Sequence, residues 1–214
     1  MPVAGQIGLV VQLGHWVIWE ACRQARIWRD AGMAPQRISI KVTALQFRDS
    51  MAFEADIAAA LAATGTPPDM LELELTDLML MQVSREHGQI LERLRNAGVT
   101  IAVGDFGTGY SSLEYLQRFP RNRIKIASNS ISKIDSLPGD AMIVKASIGL
   151  ARDLGIRVVA AGVDTQGQFD LLKRWGCSVV QGNHLARPLG AEAATQLLRE
   201  RVGPRFDAAP SHET

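Results

Sequence analysis

Leu71-Glu72-Leu73-Glu74-Leu75-Thr76, followed by the segment 86–97 and then by Thr100-Ile101-Ala102-Val103, reads as a strand, a helix and a strand in direct succession. A strand–helix–strand unit sets its two strands parallel, with the helix packed on one face. Working outward, the same alternation continues in both directions. Upstream, Arg37-Ile38-Ser39-Ile40-Lys41-Val42 reads as a strand, and 52–63 reads as a helix closed by the break Thr64-Gly65-Thr66-Pro67-Pro68. A long first helix is carried by Leu13, Trp16, Val17, Ala21, Gln24 and Trp28 at helical spacing, with Gly32 as its stop. Downstream, strands are expected at 123–126, 156–160 and 178–180, and helices at 141–154, 166–175 and 191–201. The tail 203–214, rich in Pro, Ala and polar residues, is expected to be disordered.

Repeated units of this kind predict an α/β fold with a parallel sheet, either an open doubly wound sheet or a (β/α)8 TIM-type barrel. About six strands are legible, against eight in a complete barrel of typically ~250 residues. The sequence opens on a helix, so any missing strands would lie at the front.

Composition narrows the class. The 214 residues suit one domain, and 47% are hydrophobic, enough for a sizeable core. Twenty-three basic residues against 22 acidic ones leave a net charge of +1, which gives no electrostatic case for a nucleic acid duplex or an anionic membrane as partner. Cys22 and Cys177 are expected to be buried free thiols rather than a disulfide, which fits a reducing compartment. No stretch is long and apolar enough to span a bilayer, and the first residues lack a signal-peptide pattern. The expected location is the cytoplasm.

The informative polar residues sit at strand ends. Lys41, Glu74, Asp105, Lys125 and Gln181 each fall at or just past the C-terminal end of a different strand, where a parallel sheet builds its active sites. Taken singly, Glu74 and Asp105 could cap the following helices or pair with nearby lysines. Lys125, between Ile124 and Ile126, points opposite to its apolar neighbours and needs a partner if it enters a barrel. The run Gly104-Asp105-Phe106-Gly107-Thr108-Gly109-Tyr110-Ser111-Ser112 lets the backbone turn tightly after a strand. The histidines show no metal-ligand spacing, and His184, beyond the last strand, is expected to face solvent, the alternative being that it lines a pocket.

These motifs resemble one family. Asp105 to Leu113 looks like the second half of the DDFGTGYSSL signature of EAL domains. Leu13-Gly14-His15-Trp16-Val17 with Ala21-Cys22-Arg23-Gln24 resembles the family's first long helix. Leu73 to Asp77, Val159 to Asp164, and Gln181-Gly182 with Arg187-Pro188-Leu189 match later family segments in order and spacing. The resemblance implies an EAL-type barrel domain over 1–202, about six of eight strands present, lacking its N-terminal part, and followed by the tail 203–214. Pro2-Val3-Ala4 resembles a family segment entered partway.

The resemblance also implies a chemistry: active members cut cyclic di-GMP with two Mg²⁺ or Mn²⁺ ions, which need several oxygen ligands. Against that pattern, Glu74 and Asp105 are the surviving family ligands. Lys41 stands where the family has an asparagine ligand, Gly104 replaces the first aspartate of DDFGTG, Ala127 replaces an aspartate, and Ala161 replaces a glutamate. Asp164 is a shortened glutamate, and Leu45 stands for an arginine. Lys125 matches the family's active-site lysine, and Gln181 is kept. The expected ligand-binding set is therefore Glu74, Asp105, Lys125, Asp164 and Gln181, with no metal and no confident catalytic residue. Lys41 is expected to stand in for a missing cation by pairing with both Glu74 and Asp105, so that replacing it with Met would destabilise the fold.

The function expected is a degenerate EAL domain in cyclic di-GMP signalling, non-catalytic and acting by protein interaction or weak cyclic di-GMP binding. The alternatives are a metal-dependent cyclic di-GMP phosphodiesterase, with Mg or Mn, and a non-functional gene fragment. A protein partner or a homodimer is expected from the sheet edges that an open barrel exposes.

Overall fold

The structure, a computed structural model, describes residues 9–33, 37–81, 84–106 and 123–200. It contains strands β1 (Ile38–Lys41), β2 (Leu71–Thr76), β3 (Thr100–Phe106), β4 (Arg123–Ile126), β5 (Arg157–Ala161) and β6 (Val179–Gln181). The helices are α1 (Leu9–Asp30), α2 (Ser50–Thr64), α3 (Asp77–Met81), α4 (Arg85–Asn96), α5 (Ser128–Ile131), α6 (Pro138–Asp153), α7 (Gln166–Arg174) and α8 (Ala191–Glu200). Each strand and long helix falls where the sequence pattern puts it. The short helices α3 and α5 are additions, since four or five residues are too few to show a period. The stretch 107–113 and the tail lie outside the described residues.

Strand order decides between the two architectures. All neighbouring strands pair parallel, in the order β1-β2-β3-β4-β5-β6. A doubly wound sheet reverses its order at a switch point; a barrel does not. The sheet is thus a curled, incomplete (β/α)8 barrel. Among the described residues β1 and β6 are paired on one side only.

Alternation then assigns two faces. Leu71, Leu73 and Leu75 of β2, Ile101 and Val103 of β3, and Ile124 and Ile126 of β4 are buried in the hydrophobic cluster that also takes in residues of the helices. Ile18 and Cys22 of α1, Ile57 of α2 and Leu172 of α7 complete it. The other face carries Glu72 and Glu74 of β2 with Arg123 and Lys125 of β4, and it is the interior of the barrel. Cys22 and Cys177 are both buried and free, as expected.

Local chemistry sets the helix ends. Asp49 caps α2 by accepting the Ala52 N–H, and Gly65 ends it at φ +64°. Ser84 accepts the His87 N–H at the start of α4. Thr165 and Gln168 form a reciprocal capping box on α7. No helix among the described residues is long and apolar enough to cross a membrane.

Candidate functional site

The C-terminal ends of β1 to β4 bring four charged side chains into two pairs. Lys125 Nζ donates to Glu74 Oε2 at 2.6 Å, with the Glu74 and Lys125 side chains 9% and 18% exposed. The register puts Glu74 level with Ala102 on β3 and Arg123 on β4, so the pair runs diagonally across the interior, from Glu74 to Lys125 two residues further along β4. The small Ala102 side chain on the intervening strand leaves the interior open for the two long chains to reach across. Lys41 Nζ donates to Asp105 Oδ2 at 3.1 Å, and both side chains are about half exposed.

Asp105 reaches that position through a local departure from the pleat. It has φ +55°, the left-handed region, which aspartate tolerates better than most residues. The β3–β4 register shifts between Val103 and Phe106 at the same point. Plain alternation would send Asp105 outward with Val103. The bulge turns it toward Lys41.

Gly104 also has a steric role. A Cβ at this position would sit 2.8 Å from Glu74 Cγ and 2.9 Å from Glu74 Oε1. Glu74 thus occupies the space that a side chain at 104 would need, and Lys125 holds it there.

The pairing corrects one sequence expectation. Lys41 does not hold both carboxylates: it takes Asp105, while Glu74 belongs to Lys125. Since the Lys41 pair is half exposed, it is also the weaker of the two.

The remaining expected site residues lie on the last two strands. Asp164, just beyond β5, accepts the Asn183 N–H at 3.1 Å and so ties down the loop after β6. Its own N–H donates to Gln168 Oε1 at 2.8 Å. Gln181 ends β6 with an exposed side chain, while its carbonyl accepts from Gly162 and Val163. Neither residue joins the two ion pairs through a contact among the described residues. Ala127 is buried at the start of α5, and Ala161 ends β5 on the face opposite buried Ala160. His184 is half-buried against Phe169, with ring centroids 5.6 Å apart, and so does not simply face solvent.

Two arrangements escaped the sequence reading. Glu72 is buried in the barrel with its Oε2 3.4 Å from Arg123 Nε. The equal spacing of Glu72 and Glu74 on β2 was the available signal. On the helical layer, Asp56 Oδ1 accepts Trp19 Nε1 at 2.8 Å and lies 2.7 Å from His15 Nδ1. Nothing local in the sequence joins those three residues.

The fold and site define a class: a parallel-barrel domain with charged groups gathered at the C-terminal mouth, where such barrels carry their chemistry. The family model of the EAL domain matches residues 1–188, and the chain belongs to the EAL-domain family. It is 42% identical over 192 residues to the bifunctional diguanylate cyclase/cyclic di-GMP phosphodiesterase MucR of Pseudomonas aeruginosa, covering 90% of this chain and 28% of that protein. It is 39% identical to the cyclic di-GMP phosphodiesterase NbdA of the same organism, covering 95% of this chain and 25% of that protein. The chain thus spans about a quarter of the length of these curated relatives.

Among solved structures, the PaMucR phosphodiesterase in complex with c-di-GMP superposes with a TM-score of 0.85 at 41% identity, covering 90% of this chain and 78% of that one. The EAL domain of Mycobacterium smegmatis DcpA gives 0.84 at 34% identity, covering 92% and 88%.

Proposed function

We propose that this chain is a non-hydrolysing EAL domain of cyclic di-GMP signalling, acting in the cytoplasm through protein contacts or weak cyclic di-GMP binding. The observation that carries the reading is the pairing of each surviving family carboxylate with an ammonium: Glu74 with Lys125 at 2.6 Å and Asp105 with Lys41 at 3.1 Å. The relatives' names supply the ligand class.

The donor set does not fit a metal pair. Hard divalent cations take six or more oxygen ligands, several from carboxylates. Among the described residues no group of three or more His, Cys, Asp or Glu side chains could hold one. Gly104, Ala127 and Ala161 bring no oxygen-bearing side chain, and Lys41 brings a charge that repels a cation. The two lysines do for the carboxylates what a bound cation would do: they offset the negative charge of buried Glu74 and half-exposed Asp105. Each lysine is matched by a carboxylate, so the four groups carry no net charge, which suits weak rather than tight binding of a phosphodiester. Gln181 adds an exposed amide at the edge of the same end.

The competing reading is a metal-dependent phosphodiesterase, favoured by the names of the relatives. Incubation of the purified chain with cyclic di-GMP and Mn²⁺, followed by chromatography, separates the two. No linear product is expected, and calorimetric binding, where present, should be weak and indifferent to EDTA. Linear dinucleotide that forms with Mn²⁺ and stops with EDTA would overturn the proposal.

A further inference from the structure

Two ion pairs cross the barrel interior between β2 and β4, and both run on the same diagonal. Glu72 lies level with Thr100 and Glu74 with Ala102, while Ala102 lies level with Arg123. Glu74 therefore faces Arg123 straight across β3. Yet Glu74 pairs with Lys125, two residues further along β4, and Arg123 pairs with Glu72, two residues back along β2. The cation that faces Glu74 most directly is engaged elsewhere.

That engagement is loose. Glu72 Oε2 stands 3.4 Å from Arg123 Nε, with the side chains 6% and 12% exposed, and this oxygen makes no hydrogen bond. The Glu74–Lys125 bond, by contrast, is 2.6 Å long. Reach also favours a second partner for Arg123. With neighbouring strands about 4.8 Å apart, β2 and β4 lie about 10 Å apart straight across and about 12 Å apart along a two-residue diagonal. Lys125 already spans the longer path; Arg123 has the longer side chain and the shorter path, past the small Ala102. A guanidinium carries five donors, so a terminal nitrogen can meet Glu74 while Nε stays toward Glu72. On its other side Arg123 is the direct cross-strand partner of Arg157, and it shares an open cavity at the strand-start mouth with Arg37, Arg95 and Arg157. Repulsion from Arg157 pushes it toward the two glutamates.

We infer that Arg123 is a positioning residue, the reserve cation for Glu74: when Lys125 turns to a phosphodiester ligand, the Arg123 guanidinium takes over the Glu74 carboxylate. The inference rests on the proposed reading that a phosphodiester meets Lys125. Its physical basis is burial. A lysine that leaves Glu74 leaves a shielded carboxylate behind, and an unpartnered buried charge is strongly unfavourable. Lys41 needs no such reserve, because Asp105 is half exposed and water reaches it. Ligand at one mouth then draws a charge inward from the other.

Two measurements test the takeover. The first is the crystal structure of the Lys125→Met chain, in which a terminal nitrogen of Arg123 is expected within hydrogen-bond distance of Glu74. Arg123 left on Glu72, with Glu74 meeting only water, would overturn the inference. A Lys125→Met chain that does not fold counts against it as well, because the reserve cation then fails to reach Glu74.

The second is NMR titration of cyclic di-GMP into the full chain and into its Glu72→Leu/Arg123→Met variant, which removes the lower pair as a unit. Replacing a buried ion pair by apolar residues of similar size is often neutral or stabilising, and Glu74 keeps Lys125. The variant is expected to unfold at the wild-type urea concentration or above it, yet to bind roughly tenfold more weakly. In the wild type the Arg123 Nε–Hε signal should shift as the ligand saturates. Equal affinity in the two chains would reduce the Glu72–Arg123 pair to a structural contact and overturn the inference. A wild-type chain that binds no cyclic di-GMP would sink the proposed ligand instead, and the Lys125→Met structure decides the takeover by itself.

Discussion

Two lysines at one mouth of the barrel have different energetic standing, and exposure decides it. Lys125 and Glu74 are largely shielded from solvent. Replacing Lys125 with Met would leave the Glu74 carboxylate buried without its partner, and loss of one member of a buried pair is strongly destabilising. Lys125→Met is therefore expected to lose roughly 3 kcal/mol in urea unfolding. Lys41 and Asp105 are half exposed, and water already solvates both. Lys41→Met should change stability by less than about 1 kcal/mol in the same measurement. A larger loss for Lys41→Met than for Lys125→Met would reverse the assignment of the two pairs. Both lysines were legible in the sequence as strand-end residues. Asp105 was legible as a partner of Lys41, but Lys125 as the partner of Glu74 was not, because that pair runs diagonally across β3 between residues that no register row joins.

At the scale of the element, the β5–α7 junction shows how a local motif places a distant loop. Thr165 accepts the Gln168 N–H at 3.1 Å, and Gln168 Oε1 accepts both the Asp164 and the Thr165 N–H. That box fixes the backbone of Asp164, whose side chain then holds Asn183 in the loop after β6. Thr165→Ala removes the cap and is expected to cost about 1 kcal/mol. Hydrogen exchange should quicken at the Gln168 amide and, through Asp164, at the Asn183 amide. Protection unchanged at Asn183 would show that the loop is held independently of the cap. The capping residues could be read directly from Thr165 and Gln168 at their spacing of three. The link to Asn183 could not, since 19 residues separate it from Asp164.

At the scale of the whole molecule, the helical layer and the sheet close over both thiols. Burial, with a smaller contribution from the Asp56 charge, pushes the Cys22 thiol up to about 11. In the unfolded chain it titrates near the ordinary value of about 9. The folded state holds the proton more tightly, so this contribution to stability is intact below pH 9 and declines as pH rises toward 11. Cys22→Ala should flatten that part of the stability–pH curve. Thiol reagents at pH 8 should label neither Cys22 nor Cys177 until the molecule unfolds, and labelling should follow the global denaturation curve. Rapid labelling of the native chain would mean that α1 opens locally.

The sequence by itself determined the order and kind of the elements and the family. Those follow from neighbours along the chain: period, caps, turn residues, and motifs such as Leu73-Glu74-Leu75-Thr76-Asp77 kept in order. Tertiary structure alone decided that the sheet runs in sequential order, that Glu74 pairs with Lys125 rather than Lys41, and that Arg37, Arg95, Arg123 and Arg157 gather at one mouth. The physical reason is register. A strand's own pattern says which face a side chain takes, but only the alignment of that strand with its neighbours says which charge it will meet there.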